Sequence, residues 1–575
     1  MSQQNQQVDD ILAARKRRIS FFCVFFLIVF LFLFLSIYFI CIYTPSLVIS
    51  EATMRITAPL TDDGQIDFSR YIAENFYPPE LPTDENGYRL FVQKFGDVYL
   101  DNNFHKQQTY KKLNLDINVP PTMSMPQTPL KIVSNYYANI GQSVPNDIYD
   151  ELSKTWTLEE FPMLKDWIDT IDEPLDAIAE MIHKPFFVSP PFENEDLHNK
   201  NKSQILHFGN HIQTCRDIVQ LFSARAKYRI GQGDIDGAID DIITIYQLGL
   251  HLKQDNPAFS VNILVGGIFE NVASAIALDV NPEHPVNKKQ LQRIAKTLEQ
   301  LQTNNLLEKT IEMERILTLN WVQSVLNNYD RNDKNIIGFA TDDKIFALLK
   351  YGRILSNTNI IYKQINETFD VFVGKNQHLK FTVHKSPPNN REIFWQMLTS
   401  YGRGQYCADA WVYYCSNVCD SIERIIQRCE SMRNIKRLSL ALMMYKIDSG
   451  ELPKTDWVEK IKPYLGNNFE KYLHCLSSKN QDKGKTNYVL VLYDKLPADG
   501  TVLQLVELRE PVPFDQAVMT DEEVLNDLNL DKKLRRIGYP SDVTINFSRQ
   551  NGAVNSLPES MTNNKTTINK LVGKE

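Results

Sequence analysis

From Ile19 to Tyr43 the chain carries no charged side chain, and phenylalanine recurs along the whole run. A helix of that length, rising about 1.5 Å per residue, more than covers a hydrocarbon core roughly 30 Å thick. It satisfies its own backbone hydrogen bonds, so one span can stand alone in lipid. Arg15, Lys16, Arg17 and Arg18 directly precede it, whereas the twenty residues after it hold Arg55 as their one cation. The positive-inside bias therefore predicts a cytoplasmic N-terminus and an extracytoplasmic body. A cleaved signal peptide has a shorter apolar core, about 7–15 residues, and only Val48-Ile49-Ser50 loosely imitates its cleavage site. A buried core helix seldom lacks polar residues on every face.

Without this anchor and the tails, the 575 residues exceed what one core organises, and two to four units are expected. The net charge of −8 argues against a nucleic-acid partner, because counterion release needs a basic face. Eight cysteines are too few for a dense disulfide framework; Cys23 and Cys41 fall in the span. The pairing of Cys407, Cys415, Cys419 and Cys429 stays open.

Organisation follows from periodicity. Residues 1–14 are polar and expected to be unstructured. Pro, Asp and Gly clusters mark 44–129 as an extended, turn-rich lead-in. In 210–230, Ile212, Cys215, Val219, Phe222, Ala226 and Ile230 follow helical spacing. Gly231-Gln232-Gly233-Asp234 ends that helix, and a second carries Ile235, Ala238, Ile239, Ile242, Tyr246 and Leu250. The apolar run 263–280 starts a third. Helix is expected to continue over 287–328 and over 344–372. From about Tyr406, Ala408, Trp411, Cys415, Val418, Ile422, Ile425, Cys429 and Met432 form an a/d seam, which shifts to Ile435, Leu438, Leu442 and Tyr445. That helix, about 40 residues long by this spacing, stops at Asp448-Ser449-Gly450. Residues 488–493 and 502–508 alternate with period two around Ala498-Asp499-Gly500, a β-hairpin signal.

Three resemblances accompany these patterns. Gly233-Asp234-Ile235-Asp236-Gly237-Ala238-Ile239 resembles the turn and second-helix start of a tetratricopeptide (TPR) repeat, although Arg225 stands where the repeat prefers a large apolar residue. Residues 441–453, ending Asp448-Ser449-Gly450-Glu451-Leu452-Pro453, with the following hairpin, resemble pseudopilin-like modules. The order of parts over 15–510, with the lead-in Tyr77-Pro78-Pro79-Glu80-Leu81-Pro82-Thr83-Asp84-Glu85-Asn86-Gly87, is similar to uncharacterised single-span proteins of planctomycete-type bacteria.

The expected fold is mainly α. It comprises a cytoplasmic tail at 1–18, a transmembrane helix at 19–43, the lead-in at 44–129 and a helical-hairpin, TPR-like body at 130–404. A small α+β module with a β-hairpin follows at 405–515, and an extension at 516–575 is disordered from about 541.

Among chemical candidates, His207, His211 and Cys215 lie at i, i+4 and i+8, one helix face that zinc ligands could share. The ordinary alternative is a core cysteine beside a partly wet helix edge. Asp234, Asp236, Asp240 and Asp241 lack the spacing of an EF-hand loop; an N-cap and dipole-favoured acids explain them more simply. Glu312 and Glu314, at i and i+2, point to different faces. The chain has no G-x-S-x-G, P-loop, H-E-x-x-H or G-x-G-x-x-G sequence. No cofactor is expected and no catalytic residue is assigned. The leading expectation is a membrane-anchored envelope scaffold that binds a protein partner, with the bilayer engaged through 19–43. The alternatives are an anchored hydrolase using carboxylates from separate helices, and an accessory subunit of a secretion or pilus-like system.

Overall fold

The computed structural model describes residues 2–39, 43, 46–62, 64–76, 84–96, 103–145, 147–190, 210–254, 259–276, 278, 284–301, 305–327, 357–372, 399–453, 456–466, 469–473, 485–492, 503–513 and 518–520. For the strands and for residues 2–19, 69, 103–105, 149–150, 210, 324–327, 410 and 413–414 it describes the backbone alone. The helices, in order, are α1 (Ser2–Ile37), α2 (Phe68–Asn75), α3 (Gly87–Phe95), α4 (Asn103–Lys112), α5 (Pro129–Asn139), α6 (Ile148–Ser153), α7 (Lys165–Ile182) and α8 (Asn210–Gly231). They continue as α9 (Ile235–Gln254), α10 (Ser260–Ala275), α11 (Lys288–Gln300), α12 (Leu306–Asn327), α13 (Thr358–Phe372), α14 (Ser400–Ser449) and α15 (Trp457–Leu465). The fold is mainly helical. In α1, Ser20–Ile37 has a mean hydropathy of 3.0 and is long and apolar enough to span a membrane or to serve as a signal sequence. Residues 2–14, expected to be unstructured, are part of the same helix, as are 15–18; Gln, Ala, Arg and Lys are good helix formers.

Two compact units interleave in sequence: Met1–Phe68, Asp196–Ile205 and Arg315–Asp420 form one, and Ser69–Glu195, Leu206–Glu314 and Ser421–Glu575 the other. The stretch 44–129 is turn-rich as expected, but it also forms α2, α3 and α4.

In the first unit, Met54, Ile56, Ile66 and Phe68 are buried. One stripe of α13 holds the segment that follows the apolar run. The Asn359 side chain donates to the Ser46 carbonyl at 3.0 Å and accepts from the Val48 amide at 2.8 Å. Two turns on, Asn366 donates to the Thr53 carbonyl at 2.7 Å. A further turn on, the buried Asp370 carboxylate pairs with Arg55 and, at 2.9 Å, with Arg315 of α12. Gln323 donates to the Ile66 carbonyl at 2.9 Å. These contacts fix residues 46–66 as part of the folded unit.

In the second unit, α8 and α9 form the expected antiparallel pair. Every residue of the predicted α8 stripe, from Ile212 to Ile230, is buried. The turn works as read: Gly233 takes φ +82°, and Asp234 Oδ1 accepts from the Gly237 amide at 3.0 Å. Asn86 begins α3. Its side chain exchanges two 3.0 Å hydrogen bonds with the Val188 backbone while accepting from the Tyr88 amide. A Cβ on Gly87 would lie 1.9 Å from the Met181 carbonyl oxygen, so only glycine fits there.

Further differences have local causes. The helix expected over 287–328 is two: α11, begun by an Asn287–Gln290 capping box, and α12, preceded by Asn305 at φ +60°. The seam helix runs 50 residues rather than 40, with no break at the stutter. It ends at Gly450, at φ +81°, as its glycine requires. In that continuous helix Cys407 and Cys419 are about 18 Å apart along the axis, too far for a disulfide. Cys215, Cys407, Cys415, Cys419 and Cys429 form no disulfide with one another. At the C-terminal side the backbone of Lys485–Leu492 pairs antiparallel with Leu503–Pro513 and parallel with Val518–Thr520. Its side chains and the connection at 493–502 lie outside the described residues. The expectations for 344–356 and for the extension from 521 also fall outside them.

Candidate functional site

His211 and Cys215 fall on one face of α8, but that face is inside. Both are buried, His211 packs edge-on to Tyr88, and His207 lies outside the described residues. Burial pushes the Cys215 thiol up to about 12, away from the thiolate that zinc binds. Among the described residues no three His, Cys, Asp or Glu side chains gather as a metal set.

The acidic cluster is dispersed into separate ion pairs. Asp236 and Asp240 meet Arg293 of α11. Asp241 points inward to Arg225, which also reaches Asp172 at 3.1 Å and Asp176 at 2.8 Å on α7. Burial pushes the Asp241 carboxyl up to about 6, against the pull of Arg225 and Arg229. Arg225, whose position departs from the TPR pattern, is thus an ionic cross-brace between α7, α8 and α9. Glu314 is likewise structural, accepting from the Ser260 amide at the first turn of α10. A recess of about 380 Å³ is lined by Leu90, Lys94, Glu180, Met181 and Lys184.

The surface that stands out is the outer face of α10. This helix is apolar on nearly every side, a composition suited to a helix covered all round. Its inner side is covered closely. Gly249 of α9 and Gly266 meet so tightly that a Cβ on Gly266 would lie 2.6 Å from the Gly249 carbonyl oxygen. A Cβ on Gly267 would lie 2.3 Å from the Cys429 sulfur of α14. Lys253 folds over Gly266 to pair with Glu270, whose second oxygen is 3.7 Å from Arg433 of α14. All three are buried charges: Lys253 hydrogen-bonds one Glu270 oxygen, whereas Arg433 faces the other without a hydrogen bond and donates to the Leu301 carbonyl. The outer side is bare: Val261, Leu264 and Ile268, at i, i+3 and i+7, are each 44–45% exposed. The periodicity of 263–280 announced an apolar helix but not this uncovered stripe. An uncharged run such as Ser260–Phe269 was the signal available for it.

The chain matches no protein-family model, no curated protein and no solved structure.

Proposed function

We propose that this chain is a membrane-anchored scaffold of the cell envelope that docks a protein partner on α10. Residues 19–43 act as the uncleaved anchor, with the Arg15–Arg18 end in the cytoplasm and the helical body outside. The observation that carries the reading is the exposed Val261–Leu264–Ile268 ridge, backed by a rigid crossing of α9, α10 and α14. An i, i+3, i+7 aliphatic ridge without charge is complementary to the apolar face of an amphipathic helix, which is the partner chemistry it fits. The similarity to planctomycete-type single-span proteins, and the small α+β module after α14, belong to this same reading.

The hydrolase alternative asks for a carboxylate of raised pKa beside a second one. Asp241 and Asp217 both have raised values, but Asp241 is 1% exposed and held by two guanidinium groups, and burial rather than a second carboxylate raises Asp217. The pilus-like accessory role has gained no observation.

The experiment is capture from a detergent extract of the native envelope with full-length protein, wild type against Leu264→Asp. The variant is expected to keep its unfolding midpoint and to lose one reproducible partner at least tenfold. A partner set identical for both proteins overturns the assignment of this surface.

A further inference from the structure

The segment after the apolar run sets how far the first unit can stand from the bilayer. Tyr43 closes the apolar run, and the Ser46 carbonyl is already bonded to Asn359. Three residues reach at most about 11 Å even when fully extended. The headgroup layer is itself roughly 5–7 Å thick on each side of the hydrocarbon. With Tyr43 at the hydrocarbon edge, Asn359 is held within, or directly upon, the headgroup zone. It also brings the start of α14 with it. The Asn357 amide donates to the Ser400 carbonyl at 3.0 Å. A Cβ on Gly404 would lie 2.7 Å from the Asn357 carbonyl oxygen, so the two backbones are in direct contact. The next residue, Tyr401, is 63% exposed, far above the other aromatic side chains described in this unit outside the apolar run.

We infer that the α13 start and the α14 start of the first unit form a membrane-contacting edge, with Tyr401 seated in the lipid headgroup layer. This rests on residues 19–43 spanning the bilayer. A tyrosine suits that position because its ring is apolar and its hydroxyl is polar, which is why such residues line membrane interfaces. The unit is then no ball on a flexible tether. Asn359, Asn366 and Asp370 rivet the juxtamembrane segment, and the anchor delivers one chosen edge of the unit to lipid.

The test uses the full chain in vesicles of phosphatidylethanolamine and phosphatidylglycerol. A benzophenone amino acid replaces Tyr43, Tyr401 or Ile447 in turn. Ile447 is an exposed control, at 44% close to the 48% of Tyr43, near the far end of α14. After irradiation, lipid adducts are counted by mass spectrometry. The inference expects abundant adducts at 43 and 401 and at least fivefold fewer at 447. Asn359→Ala, which releases the Ser46 clamp, should lower the adduct at 401 and leave that at 43 unchanged. Adducts at 43 with none at 401, or equal yields at 401 and 447, overturn the lipid-facing edge while leaving the anchor standing. No adduct at 43 overturns the anchor itself, and the edge with it.

Discussion

Arg225 and Asp241 are sixteen residues apart on neighbouring antiparallel helices, and the guanidinium Nη2 lies 2.6 Å from the carboxylate Oδ1 with both groups buried. Breaking one side of a buried pair leaves an uncompensated charge, which costs about 3–5 kcal/mol, whereas replacing both partners by apolar residues is often neutral. Arg225→Met alone should therefore lower stability by several kcal/mol in urea unfolding of the detergent-solubilised protein. The double variant Arg225→Met, Asp241→Leu should recover most of the loss. Equal losses in single and double variants would show that the pair contributes packing rather than charge.

The same carboxylate gives stability a pH slope of defined sign. Its folded pKa, about 6, lies above the usual aspartate value, so the folded state holds the proton more tightly. Its contribution is fully present below about pH 4 and is lost as pH rises through 6, by roughly 2–3 kcal/mol. His183 acts in the opposite direction, because burial lowers its pKa and favours folding as pH rises. The difference between wild type and Asp241→Asn isolates the aspartate. Relative to the variant, wild-type midpoints should fall between pH 4 and pH 6 and level off above.

Asn86-Gly87 is a second structural determinant. Asn86→Ala removes three hydrogen bonds from a buried site, and the Val188 backbone then lacks its partners. A loss of about 2–4 kcal/mol is expected, since each stranded buried group costs about 1–3 kcal/mol. Gly87→Ala should be worse, driving a methyl into the Met181 carbonyl. Protease resistance of the α3–α7 region is the readout. Unchanged resistance in Gly87→Ala would mean the two helices separate freely.

Gly266→Ala tests the α9–α10 crossing. The added methyl would overlap the Gly249 carbonyl oxygen and the Lys253 stem, and overpacking of this kind costs typically about 1–3 kcal/mol. It should also loosen Lys253 from Glu270 and so weaken partner capture without touching the outer ridge. Full capture at wild-type stability would detach the ridge from its support.

The apolar framework was legible because burial leaves a period. The stripe Ile212 to Ile230, the Gly233-Asp234 turn and the glycine stop at 450 all read correctly from spacing. Charged side chains left no such trace. Arg225, Asp241, Lys253 and Glu270 each resemble residues of a solvated helix face until a partner from another helix is known. Glu270 meets Arg433 across more than 160 positions, a distance no periodicity encodes. The break between α11 and α12 had a signal in the five-residue step from Leu301 to Leu306, which leaves the three-or-four spacing of a single apolar stripe. The candidate surface was half visible: the sequence announced an apolar third helix, and only packing reveals which side stays uncovered.

The scaffold claim is tested most directly by a benzophenone amino acid in place of Leu264 in the full-length protein, irradiated in its native membrane. The account predicts one discrete adduct with a second, different protein, abolished by Ile268→Asp on the same ridge. No protein adduct at 264, or an adduct that survives Ile268→Asp, would contradict it.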